Sequence, residues 1–319
     1  MTPIFRSTLA ACAAACMAAA PLAHAEAPLA QGQAPGSYRM MLGSFQVTAL
    51  SDGTVKLPVG QLLTGIKPAQ VESLLARAFL KAPVETSVNG YLIHTGAKLV
   101  LIDTGAAGLF GPTLGKLVAN LKATGYQPEQ VDEMYITHMH PDHVGGLMAD
   151  GKMVFTNAVV RADLREGNFW LSQANLDKAP ADSKDFFQGA MASLIAYMAA
   201  GKLKPFDGQT QLMPGIRAIP ARGRTPGHTI YAVESQGNKL VVWGDLMHVA
   251  AVQFAMPSTT SQFDTAPRAS APQRIKNYAD AASKGYYVAG AHVSVPGIGR
   301  LRADGKGYEW FPANYVSAP

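Results

Sequence analysis

Short runs of apolar residues, separated by segments of helical spacing, run through the first half of the chain. Strands are predicted at 45–49, 91–93, 99–102 and 134–136. Apolar residues three and four positions apart predict helices at 71–78 and 114–121, and Gly125 is suited to end the second helix. Asp52-Gly53 is typical of a hairpin turn and is expected to close the first strand. This half therefore predicts a sheet accompanied by helices.

The second half repeats this order of strands and helices. A strand at 159–160 leads into helical spacing over 164–201, which a turn at 180–183 interrupts. Further strands are predicted at 230–233, 240–243 and 286–289, with a helix at 274–282 before the last strand. Two successive β-rich runs, each closed by helices, predict an α/β fold with sheet packed on sheet and helices outside, an αβ/βα four-layer sandwich. We expect it to occupy residues 38–319 as one domain.

The first 25 residues differ from the rest in composition. Arg6 is their only charged residue, an Ala-rich apolar run follows it, and Ala23-His24-Ala25 is a small-x-small cleavage site. This pattern predicts a secretory signal peptide cleaved after Ala25, and hence a secreted or periplasmic protein. Both cysteines fall within the segment, so the mature chain is expected to have neither disulfides nor thiolate metal ligands. Residues 26–37 read as a flexible lead-in.

Composition and charge narrow the classes of partner. The chain of 319 residues is 48% hydrophobic and 15% charged, which is typical of a globular protein with a well-developed core. The formal net charge of +5 is spread along the chain without a basic run, so we expect no nucleic-acid partner. The only long apolar segment is the signal peptide, and no stable membrane anchor is predicted. With nucleic acid and membrane set aside, the expected partner is a small molecule.

The densest cluster of chemical groups is Thr-His-Met-His-Pro-Asp-His-Val-Gly-Gly at 137–146. His138 and His140 alternate as on an extended segment, so both can face one side. Asp142 and His143 follow Pro141, which bends the chain, and can face a neighbouring point. The spacing predicts two metal ions, and imidazole and carboxylate donors without thiolate favour Zn²⁺.

Three further polar residues follow predicted strands or turns in the second half. His228 follows the Pro226-Gly227 turn, Asp245 follows the strand at 240–243, and His292 follows the strand at 286–289. Loops at one rim of a sandwich can bring such ligands together without burying unpaired charge. We expect these residues to meet the 137–146 segment.

This set resembles the metallo-β-lactamase superfamily, in which His-x-His-x-Asp-His is followed by separate His, Asp and His ligands. The resemblance implies that His138, His140 and His228 hold one metal ion and that Asp142, His143 and His292 hold the other. It also implies that Asp245 bridges the two ions. Asp103, at the end of the strand at 99–102, resembles the residue that orients a ligand histidine by a hydrogen bond.

A closer resemblance, to the methyl parathion hydrolase group, rests on the runs 103–112, 137–147 and 292–299. These secreted di-metal enzymes cleave organophosphate triesters, and close relatives act on aryl esters and lactones. The resemblance implies a homodimer and an aromatic substrate pocket, which Phe110, Trp170 and Phe187 match. Core filling is the alternative interpretation for these rings, and for Phe187 it carries equal weight.

Two departures from that group bear on the substrate. His248 stands where the group has an aliphatic residue, and the loop at 181–183 is one residue shorter. An imidazole at the pocket wall would narrow the pocket and make it more polar, which favours a planar lactone or ester over a bulky phosphotriester. The alternative is that His248 supports a metal ligand without touching substrate. His94, beside a turn, is expected at the surface.

The predicted reaction is hydrolysis of an aryl lactone or aryl ester such as dihydrocoumarin, with phosphotriester hydrolysis as a secondary activity. A hydroxide bridging the two metals would attack, and Asp142 or Asp245 would relay a proton. The alternatives are a methyl parathion hydrolase proper, an acyl-homoserine lactonase with an aliphatic groove, and, more weakly, a class B β-lactamase. A non-catalytic periplasmic binding protein is the alternative from another class.

Overall fold

The computed structural model describes residues 27–30 and 32–317. Contacts divide the chain into two units, Met1–Ala34 and Pro35–Pro319. The described residues of the first unit, 27–30 and 32–34, contain no helix or strand. The predicted signal peptide and both cysteines lie outside the described residues, so these expectations, like the flexibility of 26–37, stay predictions.

The second unit contains two large sheets and the helices that cover them. Its strands are β1 (Ser37–Leu42), β2 (Phe45–Leu57), β3 (Leu63–Thr64), β4 (Val84–His94), β5 (Leu99–Ile102), β6 (Glu133–Tyr135), β7 (Met148–Ala149), β8 (Lys152–Met153), β9 (Val159–Arg161), β10 (Thr210–Met213), β11 (Ile216–Pro220), β12 (Thr229–Ser235), β13 (Asn238–Val242), β14 (Thr260–Ser261), β15 (Tyr287–Ala289), β16 (Ile298–Asp304) and β17 (Gly307–Pro312). Its α-helices are α1 (Val59–Leu62), α2 (Pro68–Arg77), α3 (Leu117–Ala123), α4 (Pro141–Val144), α5 (Leu164–Trp170), α6 (Gln173–Lys178), α7 (Lys184–Ala199), α8 (Ala250–Gln253) and α9 (Pro267–Lys284).

The two large sheets pack face to face. One has the strand order β1-β2-β4-β5-β6-β9 and the other β10-β11-β12-β13-β15-β16-β17. Ile93 of the first sheet and Val242 of the second belong to one buried cluster, and the rings of Tyr135 and Tyr231 stack across it at 5.4 Å. A second cluster joins the first sheet to α3 and α7, and a third joins the second sheet to α9. The predicted αβ/βα four-layer sandwich is confirmed.

The predicted hairpin turn at Asp52-Gly53 is wrong. Strand β2 continues through these residues to Leu57, with a register shift against β4 between Ser51 and Gly53. Gly53 has φ +124°, which suits glycine, and the Asp52 carboxylate accepts the backbone N–H groups of Ala106, Gly115 and Leu117. The Asp-Gly pair therefore forms a bulge whose carboxylate organises a distant loop.

Other differences concern the bounds and number of elements. The helical stretch at 164–201 is three helices, α5 to α7, and the predicted helix at 114–121 begins only at Leu117. Strands β10, β11, β16 and β17 were not predicted. Since β11 has mixed burial and β16 and β17 are largely exposed, their apolar alternation is weak. Among the helices of the described residues, none has the length and apolar character that a membrane span requires.

Candidate metal centre

The 137–146 segment adopts the local geometry that its sequence predicts. Strand β6 delivers the chain to His138, His140 is still extended at φ −76° and ψ 154°, and Pro141 begins α4. Proline is favoured at the first position of a helix, so Asp142 and His143 occupy its first turn. A Cβ on Gly146 would lie 1.9 Å from the Thr104 carbonyl oxygen, so glycine permits the close packing that fixes this turn.

The side chains form two groups of possible metal ligands with no residue in common, and a third group, Asp245 with His248 and His292, joins them. His138 and His140 group with Asp245, and Asp142 and His143 group with His292, with the donor atoms of each group within 4.8 Å of one another. His138 Nε2 lies 3.1 Å from His140 Nδ1. Asp245 Oδ1 also lies 3.1 Å from His143 Nε2 and 3.0 Å from His292 Nε2, which places Asp245 between the groups.

These residues fit divalent metal ions. His143 Nε2 and Asp245 Oδ1 are buried and have no hydrogen-bond partner among the described residues, a costly arrangement that a bound cation would relieve. Burial lowers the pKa of both His138 and His140 well below the usual value, so these imidazoles are neutral, as metal ligands must be. Burial alone would raise the pKa of Asp245, but His143 and His292 hold it well below its usual range, and, despite burial, the neighbouring carboxylates in turn raise the pKa of both of these imidazoles. Nitrogen and oxygen donors of this kind suit two divalent ions.

His228 lies beside these groups but outside both. Its Nδ1 faces the Ala221 carbonyl oxygen at 3.0 Å, and its ring centroid is 5.3 Å from that of His138. Its Nε2 accepts the backbone N–H of Asp245 at 3.1 Å. Of the seven predicted ligands, the structure thus brings six into the two groups and places His228 in contact with the shared Asp245.

Asp103 contacts a ligand histidine, as the superfamily resemblance implies. Its Oδ2 lies 2.8 Å from His143 Nδ1, and it also accepts the N–H and hydroxyl of Thr137 at 2.8 and 2.7 Å. Because Nδ1–H of His143 donates a hydrogen bond to this carboxylate, the proton stays on Nδ1 and the Nε2 lone pair is free for a metal. Asp103 has φ +58°, an uncommon conformation for aspartate that costs on the order of 1 kcal/mol and occurs mainly at functional sites.

A narrow cavity of about 20 Å³ opens beside the predicted ligands. Its lining residues are Val55, Leu57, Phe110, Asp142, Phe186, Arg224, His248, Phe263 and His292. Three aromatic rings around a few polar groups are typical of a site for a small apolar ligand.

Two of the predicted pocket aromatics do not line this cavity. Trp170 and Phe187 are buried in the layer between the first sheet and its helices, with ring centroids 4.6 Å apart. Trp170 presents its edge to His140 at 4.9 Å and supports that ligand from behind. Successive helical residues point about 100° apart, so Phe186 on α7 faces the cavity while Phe187 faces the core. Phe110 lines the cavity as predicted.

His248 both lines the cavity and contacts a ligand. Its Nε2 lies 3.0 Å from Asp245 Oδ2, and its ring stacks on that of His292 at 5.1 Å. His248 therefore lies in the wall of the cavity and also contacts a predicted metal ligand. Burial lowers the pKa of His248, which favours the neutral ring that donates from Nε2 to the carboxylate.

The sequence reasoning missed Arg224, Phe186, Phe263 and Glu166. Arg224 is buried and donates from Nε and Nη2 to Asp245 Oδ2, each at 2.9 Å. Its guanidinium also lies 5.2 Å from the Phe263 ring centroid. A charged residue four positions before His228 was the available signal, since a buried arginine needs a carboxylate partner.

Comparison with known proteins places this architecture in a family. The family model of the metallo-beta-lactamase superfamily matches residues 83–272, and the chain belongs to this superfamily. A solved structure of the hydrolase AbOPH, in the beta lactamase superfamily, is 36% identical, with 90% of this chain and 100% of that chain covered and a TM-score of 0.85. AidC, a dizinc quorum-quenching lactonase solved in complex with a product, is 26% identical, with 89% and 99% covered and a TM-score of 0.81.

A curated relative is also a lactonase by name. The N-acyl homoserine lactonase of a Bacillus species is 25% identical over 165 residues, which are 46% of this chain and 58% of the relative. The chain thus spans less than two thirds of that relative's length.

Proposed function

We propose that the protein is a binuclear metal-dependent hydrolase that cleaves aryl lactones or aryl esters of the dihydrocoumarin type. The observation that carries this proposal is the position of the small aromatic cavity, which is bounded by Asp142 and His292 of one ligand group. Phenyl side chains in the wall favour stacking on a planar aryl ring, and the imidazole of His248 in so narrow a cavity disfavours a bulky tetrahedral phosphorus centre.

The proposed roles follow from the contacts. The ligands are His138, His140, His228, Asp142, His143, Asp245 and His292, and Zn²⁺ is the proposed ion. When bound, the two ions supply a water of lowered pKa and a Lewis acid for the substrate oxygen. Asp142 lines the cavity and is proposed to take the proton from the attacking water and return it to the leaving oxygen. Asp245 is proposed to share this role.

The remaining cavity residues also have proposed roles, which their contacts support. Arg224 and His248 hold Asp245 Oδ2, so the carboxylate presents Oδ1 to His143 and His292. Phe110, Phe186 and Phe263 bind the aryl ring and exclude bulk water from the reacting carbonyl.

Two alternatives each rest on a specific resemblance. N-acyl homoserine lactone hydrolysis is supported by the names of the lactonase relatives, although three phenyl rings here replace the aliphatic groove that an acyl chain favours. Phosphotriester hydrolysis is supported by the resemblance to the methyl parathion hydrolase group. Both reactions use the same ligand set.

The deciding experiment measures kcat/KM of one preparation on dihydrocoumarin, an N-acyl homoserine lactone and methyl parathion, before and after chelation. We expect dihydrocoumarin to be preferred, chelation to abolish all turnover, and His140→Ala to abolish it as well. A dominant phosphotriesterase or acyl-homoserine lactonase activity would replace the proposed substrate and leave the metal centre standing. Turnover that survives chelation would overturn the metal centre itself.

We further propose that the protein is exported and forms a homodimer. The proposed export rests on the composition of residues 1–25, and the proposed dimer on the resemblance to secreted hydrolases. Expression of the full chain should yield an extracytoplasmic protein whose first residue, read by N-terminal sequencing, is Glu26. A cytoplasmic product that keeps residues 1–25 would contradict the export proposal, and size-exclusion chromatography with light scattering tests the dimer.

A further inference from the structure

A carboxylate outside the ligand set joins the two loops that carry three of the predicted histidines. Glu166 on α5 is fully buried, with 0% of its surface exposed. Its Oε2 accepts the backbone N–H of Met139 at 2.9 Å, and its Oε1 accepts the backbone N–H of Gly227 at 2.7 Å. Met139 lies between His138 and His140, and Gly227 directly precedes His228. One side chain therefore spans both loops.

The surroundings of Glu166 are built for this contact. A Cβ on Gly227 would lie 2.8 Å from the Glu166 backbone nitrogen and 3.0 Å from its Cγ, so only glycine lets the loop approach this closely. Helix α5 is itself anchored at its start, where Asp163 accepts the N–H groups of Arg165 at 2.8 Å and Gly208 at 3.1 Å. The Glu166 carboxylate therefore extends from a helix whose start is held in place.

We propose, on the basis of the proposed function, that Glu166 is a positioning residue that holds the His138–His140 loop and the His228 loop at the separation their shared metal requires. A buried carboxylate is costly unless hydrogen-bonded, and here both oxygens take N–H groups that belong to the ligand loops. We call the two hydrogen bonds of Glu166, to Met139 and Gly227, the clamp. Loss of the clamp loosens the two loops, and loss of the negative charge of Glu166 weakens the attraction for a cation. Both effects lower metal affinity.

The test is a chelator competition that resolves the two metal-binding steps of the purified protein without substrate. In Glu166→Gln one oxygen becomes an NH₂ group facing an N–H donor, so one clamp contact is lost. We expect this variant to bind one metal about 10- to 100-fold more weakly, the effect typical of groups that orient ligands, and the other within about threefold of the wild type. Co²⁺ substitution should show an altered absorption band for the weakened site.

Asp163→Asn is the matched control, because Asp163 is a buried carboxylate at the start of the same helix and accepts no N–H from a ligand loop. This control should lose stability while both affinities remain within about threefold of wild type. Assignment to the His138–His140–His228 site comes from a double variant, since Glu166→Gln should add little to His140→Ala at the affected step.

Two outcomes separate this inference from the proposed function. If the wild type binds two metals and Glu166→Gln binds both with unchanged affinity, or if Glu166→Gln weakens both binding steps equally, the clamp is overturned. If the wild type binds two metals but hydrolyses neither lactone nor ester, the proposed substrate is overturned and the clamp is still decided by the affinities.

Discussion

Asp245 divides its two oxygens between different tasks. Oδ2 is held by Arg224 and His248, while Oδ1 faces His143 and His292 without a hydrogen-bond partner among the described residues. The partners on Oδ2 also stand in the cavity wall. Changes to that wall are therefore expected to alter both substrate fit and the setting of a metal ligand.

Replacing His248 tests the argument from pocket size. His248→Leu removes the polar ring and makes the cavity resemble that of a phosphotriesterase. We expect the ratio of kcat/KM for dihydrocoumarin to that for methyl parathion to fall about tenfold, the usual scale for a change in pocket shape. His94→Leu, at the end of β4 and away from the cavity, serves as the control. An unchanged ratio would show that His248 does not set substrate size.

Glu166 predicts a pH dependence of stability in the metal-free protein. Burial raises the pKa of this carboxyl to about 7 from its usual 4.5, partly offset by the N–H groups of Met139 and Gly227. Between these values the folded chain binds more protons than the unfolded chain. The free energy of unfolding therefore decreases as pH rises through this window, by about 3 kcal/mol.

The measurement is urea unfolding of chelator-treated wild type and Glu166→Gln from pH 4 to 8. The difference between the two proteins isolates Glu166 from the other titrating groups. A difference that stays constant across this range would contradict the raised pKa.

At the residue scale, the sequence predicted the His and Asp side chains that the structure brings together, and it missed several side chains that contact them. The ligands could be found because His and Asp follow predicted strands at recognisable spacing. Arg224 and Glu166 could not, because their roles depend on which loops they meet across the fold. Phe187 was predicted from the resemblance to the methyl parathion hydrolase group, and the sequence does not define the start of α7 well enough to show that Phe186 faces the cavity instead.

At the scale of elements, the bulge in β2 stabilises the 106–117 segment through Asp52. Asp52 accepts three backbone N–H groups, two of them buried, from the 106–117 segment, which also carries Phe110 to the cavity. Asp52→Ala leaves these donors unpaired and should lower the free energy of unfolding by about 3 kcal/mol. Asp177→Ala, on the exposed face of α6, should change it by less than about 0.5 kcal/mol. Equal stabilities in chemical denaturation would refute this role for Asp52.

The elements themselves were predictable in proportion to their burial. Strands β4, β5 and β13 are largely buried, and their apolar runs indicated them directly. Strands β16 and β17 pair with each other at the edge of the second sheet, where exposure dilutes the pattern. The Asp52-Gly53 pair led to the wrong prediction of a hairpin turn, because bulges and hairpin turns favour the same residues.

At the scale of the whole molecule, two docked sheets bring strand ends from both halves to one rim. The buried polar cluster there is costly without cations, so metal binding should contribute to stability. Metal at a thousand times its Kd adds about 4 kcal/mol, and we expect chelation to lower Tm by about 10 °C. Differential scanning calorimetry with and without chelator, then with Zn²⁺ restored, measures this. A Tm that is unchanged by chelation and by restored Zn²⁺ would contradict a resident metal.

The position of Asp245 in the sequence also determines when the metal centre can assemble during folding. Asp245 lies roughly a hundred residues after His138, and His292 lies farther still from Asp142. Neither ligand group is complete until the second sheet has docked on the first. If the protein is exported unfolded, as proposed, it carries no assembled centre during transit, and the compartment in which it folds would then supply its metal.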